Sequence, residues 1–143
     1  MYHRVLVPTD GSEVAFNAAE QAVEMTDADG TVHILSIVEN LPLYRQSGQG
    51  AKREASDPGL AQARAEEAIH RIEELVTAGG KQCVTELAEG VPHRKILDYA
   101  KEIEADVVVM GKRGLGAATE DILGSTTERV ARGTSSVLVI VPE

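Results

Sequence analysis

The stretch that decides the fold is Asp106 to Glu128, DVVVMGKRGLGAATEDILGSTTE. It opens with a run of consecutive apolar residues, Val107 to Met110, most of them β-branched. A run this short and this apolar predicts a β-strand buried on both faces, as strands are in a parallel sheet. We therefore expect Val107 to Met110 to lie at the centre of a sheet.

Glycines surround the end of this strand and recur before the next predicted helix. Gly111, Gly114 and Gly116 follow the strand directly, and Gly124 opens the segment that leads into the helix. Glycine lets backbone N–H groups approach a ligand without an obstructing Cβ. The N-terminus of a helix adds unpaired N–H groups and a partial positive charge. This layout favours a phosphate site, and simple turns are the alternative interpretation.

Charged and polar residues beside the glycines fit the same interpretation. Ser125 and Glu128 have the spacing of a capping box, which predicts that Ser125 caps the helix. Lys112 and Arg113 bring positive charge to the glycine-rich loop. We expect Arg113 to lie near a phosphate and Lys112 to point to solvent.

Length and composition restrict the kind of protein. A chain of 143 residues predicts one domain spanning residues 1–143. We see no leader pattern and no apolar run near the ~18 residues of a membrane span, so we expect a cytoplasmic protein. The net charge of −9 argues against general affinity for nucleic acid or membrane surfaces, so a phosphate must be held locally. Cys83 is the only cysteine, which excludes an internal disulfide.

The rest of the chain alternates predicted strands and helices. Further strands are predicted at His3 to Pro8, Thr31 to Val38, Cys83 to Ala88 and Ser136 to Val141. Helices are predicted after a Ser12 cap to about Thr26, from Gly59 to about Ala78, from about Pro92, and up to Arg132. Asp27 to Gly30 is predicted as a turn, and Asn40 to Pro58 as a long loop.

This order predicts an α/β fold, an open five-stranded parallel sheet with helices on both faces. Ligands of such sheets bind beyond the carboxyl ends of the strands, where the strand order reverses. The loops with site-like chemistry follow the first and fourth strands, so we infer the order 3-2-1-4-5. The last strand would then be an apolar edge, which predicts a homodimer through Val137 to Val141.

Several known phosphate-binding patterns are absent. The chain has neither a GxxxxGK[ST] loop nor, after the first strand, a GxGxxG turn, because that turn reads TDGS. A phosphoacceptor receiver would need further acids and a lysine that cannot be placed, and a nucleotidyl transferase of similar architecture would need HxGH. The four histidines are scattered without ligand spacing.

What remains is the spacing GxxGx9GS, from Gly111 to Ser125. It resembles the nucleotide-binding signature of the universal stress protein family, in its ATP-binding branch. The resemblance extends over VLVPTDGS, EGVPHRKIL, VVVMGKRG, ILGSTTERVARG and SVLVIVP. It implies a Rossmann-like fold akin to the adenine nucleotide alpha-hydrolases.

The resemblance also implies roles for matching positions. Asp10 would sit by the ribose or by the phosphates and their Mg²⁺, although it can equally be a turn aspartate bonded to its own backbone. Val38 would present its backbone to adenine. The complete implied nucleotide site is Pro8, Thr9, Asp10, Val38, Met110, Gly111, Arg113, Gly114, Gly124, Ser125 and Thr126.

The function implied is that of a nucleotide-dependent stress-response or signalling homodimer. Its ligand would be ATP, or AMP, with Mg²⁺, and an unidentified protein would act as partner. No residue suggests itself as a catalytic base, so we expect slow hydrolysis or none. The alternatives are an interaction module of the same fold that binds no nucleotide, and a slow ATPase.

Overall fold

The computed structural model describes residues 1–39, 58–113 and 123–142. Strands and helices alternate along these residues. The strands are β1 (Tyr2–Thr9), β2 (Thr26–Val38), β3 (Gln82–Glu89), β4 (Val107–Gly111) and β5 (Val137–Val141). The helices are α1 (Glu13–Met25), α2 (Pro58–Ala78), α3 (Pro92–Glu102) and α4 (Ser125–Gly133). The predicted loop Asn40 to Pro58 lies outside the described residues, except for Pro58 itself.

The strands form one parallel sheet in the order β3-β2-β1-β4-β5. This order confirms the prediction, including the edge positions of β3 and β5. Val107, Val108 and Val109 are fully buried, as predicted for a strand covered on both faces. The strand order reverses between β1 and β4, so any crevice for a ligand is expected at their carboxyl ends.

Two apolar cores cover the two faces of the sheet. Val5 and Val7 of β1 face a core that includes alanines of α1 and apolar residues of α2. Leu6, between them, faces a second core with Ile96 of α3 and Val130 of α4. Alternate residues of a strand point to opposite faces, so the continuous apolar run in β1 supplies both cores. The result is a layer of helices on each side of the sheet.

The helices that cover the first core bury mainly small and branched apolar residues. In α1 the buried residues are Ala15, Ala18, Ala19 and Ala22, whereas Val14 and Met25 are only half-buried. In α2 they are Ala65, Ile69, Ile72 and Val76. Gly80, just after α2, has φ +75°, the left-handed conformation that commonly ends a helix.

The predicted turn at Asp27 to Gly30 is wrong, because β2 runs through it. Tyr2 pairs with Thr26 and Arg4 with Thr31, so the extra residues of β2 form a bulge opposite β1. A Cβ on Gly30 would lie 2.8 Å from the Thr26 Cγ2 atom. Pairing with β1 therefore overrides the local turn preference of the sequence.

In the described part of the chain, none of the helices is both long and apolar enough to cross a membrane.

Candidate functional site

A cavity of about 460 Å³ opens where the strand order reverses. The ladder between β1 and β4 pairs Val5 with Val107 and Leu6 with Val108, and both strands continue beyond it toward the cavity. The described wall consists of Pro8, Thr9, Asp10, Ala15, Ile37, Glu39, Pro92, Ile96, Met110, Gly111, Arg113, Gly124, Ser125, Thr126 and Thr127. The loops after the first and fourth strands thus meet in one place, as predicted.

One part of the wall is apolar. Ile37 comes from the end of β2, Ile96 from α3, and Met110 from β4. Ile96 is 2% exposed and Met110 is 7% exposed, so their positions are fixed by packing in the second core. This surface can receive a flat apolar group such as an aromatic ring.

The turn between β1 and α1 is tied together by its own polar groups. The Ser12 amide donates to Asp10 Oδ1 at 2.9 Å, and the Gly11 amide donates to Thr9 Oγ1 at 3.1 Å. Gly11 has φ +85°, a conformation that favours glycine. The Ala15 amide donates to Ser12 Oγ at 3.2 Å, which confirms Ser12 as the cap of α1. The side chain of Asp10 therefore stabilises the turn, and the residue also lies in the cavity wall.

Gly111, the last residue of β4, lies under α1. A Cβ at this position would be 2.4 Å from Val14 Cγ1 and 3.1 Å from the backbone carbon of Val14. The first distance is shorter than real Cβ contacts and the second is tighter than most of them, so helix packing alone favours a glycine here. The backbone of Gly111 is thereby held at a fixed place in the floor of the cavity.

The predicted capping box at Ser125 and Glu128 is wrong. The N-cap residue is Gly124, with φ −61° and ψ 150°, and as a glycine it has no side chain to cap the helix. Ser125 and Glu128 are each one position too far along the helix for a capping box. The Glu128 carboxylate instead accepts from Arg132 Nη2 at 3.0 Å. The first turn of α4 consequently presents backbone N–H groups at the cavity, where Ser125 and Thr126 form part of the wall.

Two hydrogen bonds join the start of α4 to the end of β4. Thr127 Oγ1 donates to the Gly111 carbonyl at 3.0 Å, and the Gly124 amide donates to the Lys112 carbonyl at 3.0 Å. The Lys112 amide in turn donates to the Val141 carbonyl of β5 at 2.9 Å. The helix start is therefore attached to the sheet at two points.

The structure brings together most of the predicted site residues. Pro8, Thr9, Asp10, Met110, Gly111, Arg113, Gly124, Ser125 and Thr126 all line the cavity. Val38 lies between two lining residues, and its carbonyl accepts from the Gly90 amide at 3.0 Å. Gly114 lies outside the described residues. Lys112 is half-buried and is not among the lining residues, whereas Arg113 is.

Sequence reasoning missed six described residues of the wall, Ala15, Ile37, Glu39, Pro92, Ile96 and Thr127. One signal was available for two of them. Pro92 and Ile96 open the helix after β3, and helices that follow strands of a parallel sheet begin at its carboxyl edge. The contribution of Thr127 depends on a tertiary contact that local spacing does not reveal.

Comparison with known proteins gives the class. The model of the Universal stress protein family matches residues 1–142, and the chain belongs to this family. Universal stress protein MJ0531 of Methanocaldococcus jannaschii is 29% identical over 99% of this chain and 82% of its own length. Universal stress protein Sll1654 of Synechocystis is 32% identical over 99% of this chain and 87% of its own length.

Solved structures share the fold. Universal stress protein UspA from Lactobacillus plantarum superposes with a TM-score of 0.76 at 26% identity, covering 98% of this chain and 97% of that one. A universal stress protein in complex with cAMP superposes with a TM-score of 0.72 at 24% identity, covering 99% of this chain and 97% of that one. The protein from Archaeoglobus fulgidus in complex with dAMP gives 0.73 at 19% identity, covering 98% of each chain. The last two likenesses are evidence for the fold alone.

Proposed function

We propose that this chain binds an adenine nucleotide, ATP with Mg²⁺ or AMP, in the crevice between β1 and β4. The observation that carries the proposal is one cavity of about 460 Å³ that joins an apolar wall to the uncapped start of α4. Small-molecule pockets commonly measure about 300–1,000 Å³. An apolar wall suits a base, and a helix N-terminus suits a phosphate. Two proteins of this fold are known in complex with cAMP and with dAMP, so the fold itself can hold a ligand of this class.

In the proposed complex the base lies against the apolar wall. Pro8, Ile37, Ile96 and Met110 supply its surface. The backbone of Val38, at the end of β2, is proposed to meet the polar edge of adenine, as the family resemblance implies. This arrangement would select the base through backbone hydrogen bonds rather than through a charged side chain.

The phosphates are proposed to lie at the start of α4. Gly124, Ser125 and Thr126 would offer backbone N–H groups and hydroxyls, Arg113 a positive charge, and Gly114 further backbone. The chain carries a net charge of −9, so these local groups must outweigh a repulsive overall field. Such a site binds phosphate by precise placement of a few donors.

Asp10, Thr9 and Gly111 are proposed to contact the ribose and the metal-bound phosphates. The carboxylate of Asp10 and the hydroxyls of Thr9, Ser125 and Thr126 are hard oxygen donors in the cavity wall. Mg²⁺ prefers such donors and usually reaches a protein through one or two carboxylates plus substrate phosphates. The donor set therefore fits Mg²⁺ that arrives with the nucleotide.

The nucleotide is proposed to act as a signal, with slow hydrolysis or none. The acids in the described wall are Asp10 and Glu39, and Asp10 already accepts a hydrogen bond from Ser12. Phosphate release well above background that disappears in Asp10→Ala would contradict this part of the proposal and favour an ATPase. An absence of nucleotide binding would favour the interaction module.

The working unit is proposed to be a cytoplasmic homodimer that a protein partner recognises. β5 is an edge strand of apolar sequence, and Val137 is 52% exposed in the monomer. An unpaired apolar edge favours association with a second strand. Light scattering that finds only monomer at micromolar concentration would contradict the dimer.

The test is calorimetric titration of nucleotide-stripped protein with Mg-ATP, AMP and GTP. We expect ATP to bind and GTP to be rejected. Arg113→Gln should weaken ATP binding by about tenfold, because a hydrogen bond to a charged group is worth ~1.5–3 kcal/mol. Arg129→Gln is the matched control, since Arg129 is an exposed residue of α4 outside the described wall and its loss changes the net charge equally. Wild-type protein that binds none of the nucleotides would refute the proposal, and equal losses in both variants would refute the local role of Arg113.

A further inference from the structure

We propose that Thr127 is a positioning residue of this site. Its buried hydroxyl fixes the start of α4 on the end of β4 and so holds the helix N-terminus at the phosphate end of the cavity. This inference rests on the proposed function, because the ligand that the helix start receives is the proposed nucleotide.

The hydroxyl of Thr127 is committed to a partner outside its own helix. Thr127 is 3% exposed, and its Oγ1 donates to the carbonyl of Gly111 at 3.0 Å, sixteen positions earlier in the chain. Leaving a buried acceptor without a donor costs free energy, so this bond resists opening. Thr127 is the third residue of α4, and its hydroxyl ties the first helical turn to the last residue of β4.

Two points of attachment are needed to set the direction of a helix. The bond between the Gly124 amide and the Lys112 carbonyl, at 3.0 Å, fixes one point but leaves rotation about it. The Thr127 hydroxyl adds a second point further along the helix. Its acceptor, Gly111, cannot shift toward α1, because Val14 already fills the space above it. Together the two bonds fix where the N–H groups of the first turn point.

This arrangement would prepare the site before the ligand arrives. A binding site that is already ordered avoids the cost of ordering it during binding. Without the Thr127 hydroxyl, packing of Val130 would still hold the body of α4, but of the two hydrogen bonds only the Gly124 bond would tie the helix start to the end of β4. The N–H groups of Ser125 and Thr126 would then lose their common direction. Nucleotide affinity should therefore fall although Thr127 is assigned no contact with the nucleotide.

The test separates the hydroxyl of Thr127 from its shape. Thr127→Val keeps the shape and removes the hydroxyl, whereas Thr127→Ser keeps the hydroxyl and removes a methyl group. Thr26→Val is the matched control: Thr26 is also 3% exposed, and its Oγ1 donates to the Ala22 carbonyl at 2.7 Å, at the opposite end of the sheet. We expect Thr127→Val to bind Mg-ATP about tenfold more weakly, and Thr127→Ser and Thr26→Val to stay within about twofold of wild type.

Amide hydrogen exchange of the ligand-free proteins gives a second readout that needs no nucleotide. The amides of Gly124 and Glu128, which donate to the Lys112 and Gly124 carbonyls, should exchange about tenfold faster in Thr127→Val and unchanged in Thr26→Val. Wild-type ATP affinity in Thr127→Val, an equal loss in Thr127→Ser, or unchanged exchange would overturn the inference. If wild-type protein binds no nucleotide, the proposed function fails, and the exchange rates alone decide whether Thr127 orders the helix start.

Discussion

Replacing Gly111 by alanine tests the packing of α1 on the floor of the cavity. The added methyl group would lie 2.4 Å from Val14 Cγ1, 3.2 Å from its Cβ and 3.1 Å from its backbone carbon. The Val14 side chain can turn away, but its backbone moves only if α1 lifts from the sheet. The substitution therefore strains the contact between α1 and β4.

The magnitude follows from two opposing effects. Overpacking a well-packed site costs ~1–3 kcal/mol, and a clash with backbone belongs at the upper end of that range. Alanine is better than glycine inside a strand by roughly 0.5–1 kcal/mol. The free energy of unfolding of Gly111→Ala should thus fall by about 2 kcal/mol. In a Val14→Ala background the shortest contact is gone, so the same change should cost about 1 kcal/mol.

Urea unfolding of the wild type, the two single variants and the double variant measures both the cost and the coupling. No nucleotide is added, so any effect belongs to packing and not to a ligand. A wild-type midpoint for Gly111→Ala, or strictly additive costs in the double variant, would refute the packing explanation for this glycine.

Two further predictions concern single side chains. Asp10→Asn keeps an oxygen that can accept from the Ser12 amide but loses the charge, whereas Asp10→Ala loses both. We expect calorimetry to show weaker Mg-ATP binding in both variants. Thermal unfolding should show a lower melting temperature only for the alanine variant, which lacks the hydrogen bond. Wild-type binding by the asparagine variant would confine Asp10 to the turn. Burial, and then the charge of Arg4, lower the pKa of His33 from its usual value of 6.5 in the folded protein. As the pH falls, the His33 imidazole is therefore protonated in the unfolded chain before it is protonated in the folded one. The free energy of unfolding should decrease as the pH drops through 6.5 toward the folded-state pKa. His33→Gln should reduce that slope in urea titrations between about pH 7 and 5, and an unchanged slope would assign it to other groups.

Features set by burial were predictable from the sequence. The apolar run Val107 to Met110 identified a strand buried on both faces inside the sheet. Side-chain periodicity records how much of an element is covered, so it carries this information locally. The strand order followed because two loops with related chemistry had to meet at one point of the sheet.

Features set by contacts between distant residues were not predictable. The turn residues Asp27 to Gly30 form a bulge because β1 pairs alongside them. Ser125 does not cap α4, because the helix begins with Gly124 as its N-cap. The hydroxyl of Thr127 finds its acceptor across the fold, on Gly111. For the bulge and for Thr127, a partner distant in the sequence selects among the conformations that the local sequence permits.

The glycine motif itself needs more than one explanation. Packing against Val14 favours glycine at position 111 whether or not a nucleotide binds, so its presence is weak evidence for a ligand. The start of α4 is different, because its N-cap Gly124 offers no side chain to the first N–H groups, and these residues line a cavity that also has an apolar part. Within the fold these groups stabilise little, yet they suit a phosphate attached to a base. The start of α4 and the apolar part of the wall together favour a nucleotide, whereas the number of glycines does not decide it.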